Sequence, residues 1–192
     1  MGIYRLTVRP ETAWATPWHA DTVFGCLCWA YRDAHGVEEL ERILGLYLGG
    51  QPVFVLSNAF PAGLLPYPVG ARLPTDGEKT KVKPVWARVA DVLEWAEGKR
   101  TELRAAENPF VDCALAHASI GRTTLRADEG QLFEVDRQYW RAEYKGEPLL
   151  EIYVQCEEGR GAGVRALFEL LALRGFGRKG MSGLGQFSGW IS

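Results

Sequence analysis

The chain has 192 residues, 47% of them hydrophobic and 24% charged, with a formal net charge of −2 and a pI of about 6.0. This is the composition of a globular domain. It excludes the bulk basicity of a free-standing nucleic-acid binder, so if the chain binds a polyanion the positive charge that holds it must be local or supplied in part by other chains.

Residues 3–9 alternate, with Tyr4, Leu6 and Val8 on one side and Arg5, Thr7 and Arg9 on the other. That is a half-buried strand, ended by Pro10. After the loop ETAWATPWHAD, residues 20–35 read as a helix, because Val23, Leu27, Ala30, Tyr31 and Ala34 keep the 3.6-residue period. Phe24, Cys28 and Trp29 widen the apolar face, which predicts burial on most sides. Thr16 and Asp21 are the N-cap candidates. A shorter helix follows at 38–48, closed by Gly49-Gly50, and then a buried strand at 53–56.

The stretch SNAFPAGLLPYPVGARLP is rich in Pro and Gly and reads as irregular. Lys79, Lys81 and Lys83 alternate with Thr80 and Val82, which suits a solvated hairpin arm. A short helix is expected at 87–96. Residues 133–135 and 149–155 read as paired strands around a turn at Lys145-Gly146. A clear amphipathic helix at 164–174 carries Val164, Leu167, Phe168 and Leu171 on one face, and residues 184–191 close the chain as a strand.

The order is β-α-(α)-β, a long insertion, then β-β-α-β. Without the insertion this is a ferredoxin-like βαββαβ unit, an α+β fold with an antiparallel sheet. One domain is expected over 1–192, with the insertion at about 69–130. No strand carries the aromatic signature of an RNA-recognition motif, so RNA would meet loops and the inserted arm rather than the sheet face.

Cys26, Cys28, Cys113 and Cys156 show no paired C-x₂₋₄-C or H-x₃₋₅-H spacing. Free thiols are expected, with no metal and no cofactor. No apolar run is long enough to span a bilayer. The N-terminal MGIYRLTVRP lacks a signal-peptide core, and Leu6 stands where a myristoylation signal has Ser or Thr. A cytoplasmic protein without membrane contact is expected.

The richest motif is GFGRKGMSGLGQFSGWIS, residues 175–192. Gly175, Gly177, Gly180, Gly183 and Gly185 alternate with Phe176, Arg178, Lys179 and Ser182. Glycines admit a close backbone, and clustered amides with two cations and a hydroxyl suit a phosphodiester backbone. A dinucleotide fingerprint would need a strand before the glycines and a helix after them, the reverse of this order, and no Walker string occurs. A helix C′ glycine followed by a plain turn is the bland alternative.

Three segments then align with a known family. TPWHADTVFGCLCWAYRDAHG with FVLSNAFPAGLLPYP, HASIGRTTLRADEGQLFEVDRQYW, and GFGRKGMSGLGQF occur in that order. Together they resemble the RAMP proteins of CRISPR systems, specifically the Cas-five group found in type III-A Csm effector complexes. The resemblance implies a subunit that caps the complex at the 5′ end of a CRISPR RNA and holds its repeat-derived 5′ tag. It implies partners in the large polymerase-domain subunit and a backbone RAMP subunit, no nuclease activity, and a thumb in place of the insertion. Family members usually continue into a second ferredoxin-like domain after the glycine-loop strand; the expectation here is a single-domain variant, or a second half that is a separate polypeptide or lost.

By motif match, RNA would be met by His19, Asp21 and Thr22 at the first helix, and by Gly175, Phe176, Gly177, Arg178, Lys179, Ser182 and Gly183 in the loop. The thumb would add Lys79, Lys81, Lys83, Arg122 and Thr123. Alternatives remain for several of these. His19 could serve as acid or base in a metal-independent endoribonuclease, or simply hydrogen-bond RNA or cap the helix. Asp21 could be a cap or orient His19. The lysines could be a solvated arm. Trp14, Trp18 and Phe60 are read first as core and otherwise as stacking platforms. The whole chain could instead be a protein-interaction scaffold.

Overall fold

The computed structural model describes residues 1–74, 83–120, 127–178 and 180–191, with side chains for all of these except 117–120, 127–133, 181, 190 and 191. Lys79, Lys81, Arg122, Thr123 and Lys179 lie outside the described residues. In chain order the elements are β1 (Gly2–Pro10), α1 (Ala20–His35), α2 (Val37–Leu48), β2 (Phe54–Leu56), β3 (Phe60–Pro61) and β4 (Leu64–Pro66). Then come β5 (Trp86–Arg88), α3 (Val89–Ala96), β6 (Phe110–Ile120), β7 (Ala127–Trp140), β8 (Leu150–Cys156), α4 (Gly161–Arg174), a 3₁₀ turn at Gly180–Ser182, and β9 (Phe187–Ile191).

The alternation in β1 is used in part as expected, although Thr7, placed with Arg5 and Arg9 on the outward side, is buried. Leu6 and Val8 are buried while Ile3, Arg5 and Arg9 face outward. β1 pairs antiparallel with β8 from Gly2↔Cys156 to Val8↔Leu150, and with β9 from Leu6↔Ile191 to Pro10↔Phe187. β2 and β3 pair antiparallel with the outer edge of β8, giving the order β2-β8-β1-β9. α1 and α4 pack together on one face of this sheet. They join Val23, Leu27 and Ala30 to Val164, Phe168 and Leu171 over Leu6, Val8, Ile152 and Val154. Full burial of each large apolar side chain stabilises by roughly 1.5–3 kcal/mol.

Five expectations need correction. Residues 133–135 do not pair with 149–155. They lie inside β7, which pairs with β6 from Phe110↔Trp140 onward as a separate two-stranded ribbon. β8 instead joins the main sheet, because its apolar residues at alternate positions match those of β1. Local turn residues favoured the hairpin, and burial favoured the long-range partner.

α1 is not buried on most sides. Trp29 is 56% exposed, since the helix packs on the sheet along the Val23–Leu27–Ala30 line. Its cap is neither Thr16 nor Asp21: His19 is the N-cap residue, and Asn58 Oδ1 accepts the Ala20 amide at 2.7 Å. Asp21 accepts the Thr22 amide instead.

The stretch read as irregular also holds order. β4 pairs with β5 and leads into α3. Finally, β2 is an edge strand rather than a fully buried one, with Val55 54% exposed.

Candidate nucleic-acid interface

The loop after α4 is tightly packed. Phe176 is completely buried and its ring lies against Trp18, 3.8 Å between centroids. The Phe176 amide donates to the Gly185 carbonyl at 2.8 Å, and the Gly185 amide donates to the Ala13 carbonyl at 2.8 Å. Gly185 has φ 65°, and a Cβ there would land on the Phe176 carbonyl oxygen. Gly177 has φ 73°, and a Cβ there would stand 2.6 Å from the Thr16 Cβ. So these glycines are needed chiefly because two halves of a loop and the β1–α1 segment pass within backbone contact.

This corrects the expected role of several loop residues. Gly175 and Phe176 are buried and shape the loop from inside. The amides of Phe176, Arg178, Gly180, Gly183 and Gly185 all donate within the protein, the Arg178 amide to Thr16 Oγ1 at 2.8 Å. They are committed donors, not an open anion nest. Arg178, Ser182 and Gly183 are exposed on the outer edge, with Gly177 half-buried. The Arg178 guanidinium forms no ion pair among the described residues.

Beneath the loop, burial pushes the Cys26 thiol up in pKa, opposed by a hydrogen bond with the Gly177 backbone and by the Arg174 charge. It is a neutral packing group. All four cysteines are free. Among the described residues, no cluster of three His, Cys, Asp or Glu is placed to hold a metal ion, and no helix is long and apolar enough to cross a membrane.

Two clefts lie where the β1–α1 segment meets the β6–β7 ribbon. The ribbon is fastened there by the reciprocal Trp14–Gln138 backbone bonds, 3.0 and 2.9 Å, and by Trp14 standing edge-on to Phe110 at 5.6 Å. The first cleft, about 500 Å³, runs between residues 14–17, Arg178, and residues 112–114 and 136–138 of the ribbon. The second, about 430 Å³, runs past His19, Asn58, Phe60, Trp86 and Phe110. They share Trp14, Pro17, Asp112 and Gln138 as a common wall, and the two adjoining clefts are together called the trough.

His19 and Arg178 therefore flank a common surface, one in each cleft. Asp21, Thr22, Lys83, Ser182 and Gly183 line neither cleft; Asp21 and Lys83 are exposed and Thr22 is half-buried. The trough also holds residues the sequence reading passed over, namely Thr16, Trp86, Asp112, Arg137 and Gln138. No clear alternation along residues 110–120 marks the ribbon strand that carries Asp112. With Asp112, Asp136, Arg137 and Arg178 on its wall, the trough is of mixed charge, and a phosphate is favoured toward the arginines rather than the carboxylates.

No family model matches the chain, and no curated protein sequence matches it. Its fold does have counterparts: it is the Csm4-like fold of chains in type III CRISPR-Cas structures. In a crystal structure of a Csm1-Csm4 cassette with AMPPNP, one chain superposes at TM-score 0.63 with 16% identity. The match covers 100% of this chain and 71% of that one. A chain of the Csm3-Csm4 subcomplex of the type III-A CRISPR-Cas interference complex superposes at 0.53, with 12% identity over 98% of this chain and 68% of that one. A chain of the Type III-B Cmr-beta complex bound to cognate target RNA gives 0.55, with 12% identity, 99% and 59%.

Proposed function

We propose that this chain binds the 5′ repeat-derived tag of a CRISPR RNA and caps a type III RNA-guided effector complex in antiviral defence. The observation that carries the reading is the shared trough. His19 at the start of α1 and Arg178 in the glycine loop, far apart in sequence, flank one surface at the root of the ribbon. The Csm4-like fold supplies the context.

The core is read as a ferredoxin-like RAMP domain. Its strand order β2-β8-β1-β9 and its two helices α1 and α4 on one face support that reading. The segment at about 69–130 is read as the thumb, and Lys79, Lys81, Lys83, Arg122 and Thr123 as its RNA-facing residues. The large polymerase-domain subunit and a backbone RAMP subunit are the expected partners, in the cytoplasm. Arg178, with Lys179 and Ser182 beside it, holds phosphates, while His19, Asp21 and Thr22 help recognise the tag.

The chain is read as a binding subunit rather than a nuclease. Metal-free RNA cleavage needs a base, an acid and a cation arranged around one phosphate. The His19 ring makes no hydrogen bond among the described residues, and Arg178 lines the other cleft.

The test is co-purification of the tagged chain from its native cells, with sequencing of the bound RNA 5′ ends. A uniform short repeat-derived end, lost in Arg178→Ala/Lys179→Ala, supports the capping role. Partners without RNA would leave a scaffold. Repeat RNA cut by the isolated chain in EDTA, and not by His19→Ala, would make it an endoribonuclease.

A further inference from the structure

The second cleft has walls that phosphate binding does not use. Phe60 comes from β3, Trp86 from β5 and Phe110 from β6. Their rings meet edge to face, with Phe60–Trp86 at 6.5 Å and Trp86–Phe110 at 6.1 Å between centroids. All three stay partly exposed, whereas Trp14 and Trp18 below them are 2% and 5% exposed. The aromatic floor is core; the aromatic walls are surface.

Polar groups fix the walls and leave a defined edge. Asn108 Oδ1 accepts from Trp86 Nε1 at 3.2 Å and from the Phe110 amide at 3.3 Å. Gln138 Oε1 accepts from Trp14 Nε1 at 3.1 Å, and its Nε2 donates to Asp112 Oδ1 at 2.9 Å. The amide oxygens are thus occupied. What remains at the cleft includes the second carboxylate oxygen of Asp112 as acceptor, the side-chain NH₂ groups of Asn108 and Asn58 as donors, and the His19 ring. Flat apolar walls with a few convergent polar groups, in about 430 Å³, suit a small planar ligand. The free carboxylate oxygen asks that ligand for an amino group.

We propose that this cleft takes one unstacked purine base of a single-stranded RNA, held against Trp86 and Phe60 with its exocyclic amino group donated to Asp112. The flanking phosphate then lies toward Arg178 in the adjoining cleft, because Asp112 stands on the boundary of both. Every base has a face to stack on aromatic side chains, and purines offer the larger one. Uracil has no exocyclic amino group and would turn carbonyl oxygens toward a carboxylate. The inference rests on the RNA-binding reading and adds to it a base-selecting subsite.

The experiment uses the full chain and labelled single-stranded octamers of uridine carrying one adenosine or guanosine at each position in turn. Anisotropy in low salt should show one position where a purine tightens binding about tenfold, the size of a single stacked base. Trp86→Ala should weaken that octamer by more than it weakens oligo(U), so that the difference between them shrinks to little or nothing. Asp112→Ala should erase the purine preference, bringing the octamers and oligo(U) to equal affinity. Asp112 is exposed, so this variant carries the test if Trp86→Ala does not fold. Folded Trp86→Ala or Asp112→Ala protein that keeps the full purine preference would overturn the subsite while leaving RNA binding standing. So would a wild-type protein that binds uridine as well as purine at every position. A wild-type chain that binds none of the octamers would overturn both.

Discussion

The indole of Trp18 lies flat on the ring of Phe176, with centroids 3.8 Å apart and planes 18° from parallel. One residue precedes the N-cap of α1; the other is the second residue after α4. Phe187 of β9 meets the same indole edge-on at 5.3 Å. This stack, with the Thr16 hydroxyl accepting the Arg178 amide, locks the segment that carries His19 to the loop that carries Arg178.

Phe176→Ala should therefore empty a fully buried site and cost about 3–5 kcal/mol of stability. Urea denaturation of the purified chain gives the number. A loss under about 1 kcal/mol would mean that the ring is not packed as described.

The glycines separate into two kinds. Gly185→Ala places a methyl on the Phe176 carbonyl and should destabilise severely or prevent folding. Gly183→Ala has φ 85° but open space around the new Cβ, so it should cost only the left-handed strain, about 1–2 kcal/mol. Melting temperatures of the two variants, measured side by side, should rank in that order.

Arg178→Ala should leave stability within about 0.5 kcal/mol, because the side chain is exposed and forms no ion pair among the described residues. If Arg178 holds a phosphate, RNA affinity should fall for all sequences and the salt dependence should lessen by about one counterion. Unchanged affinity and slope would remove Arg178 from the interface.

Thr16→Val keeps the shape but removes the acceptor for the Arg178 amide. It should weaken RNA binding in the same direction as Arg178→Ala, with a stability loss of roughly 0.5–1.5 kcal/mol for the lost hydrogen bond. RNA binding as tight as the wild type would show that the loop holds its shape without this bond.

One acid-side effect is expected away from the trough. Hydrogen bonds from Arg42 hold the Glu39 carboxyl down to about 2, against an ordinary 4.5, with Tyr31 and the Arg42 charge assisting. A depressed carboxylate contributes stability that is fully present above its unfolded value and is lost as pH falls from there through about 2. The pair is on the surface, so the effect is small and fades with salt. Melts at pH 5 and pH 2.5, in low and high salt, should show a slightly smaller acid loss in Glu39→Gln.

Much of the core was legible in the sequence because it rests on local periodicity. The alternation in β1, the 3.6-residue spacing of α1 and α4, and the glycine stop of α2 all follow from which side of an element meets water. The order of these elements also showed an α+β chain with an insertion. Trp14 and Trp18 were rightly read as core from their size and apolar character alone.

The partner of each strand was not legible. Residues 149–155 read as half of a local hairpin with 133–135, and burial against β1 instead decided their place in the main sheet. In the same way the glycine loop advertised close approach, but the sequence could not say to what. The structure shows that most of that closeness is internal, to Phe176, Thr16 and Ala13. The sequence by itself determined β1, α1, α2, α4 and the closing strand, because their periodicity depends on neighbours within a turn or two. The tertiary structure alone decided that His19, Arg178, Asp112 and Trp86 share one trough, because contacts between distant segments are set by how whole faces bury against each other.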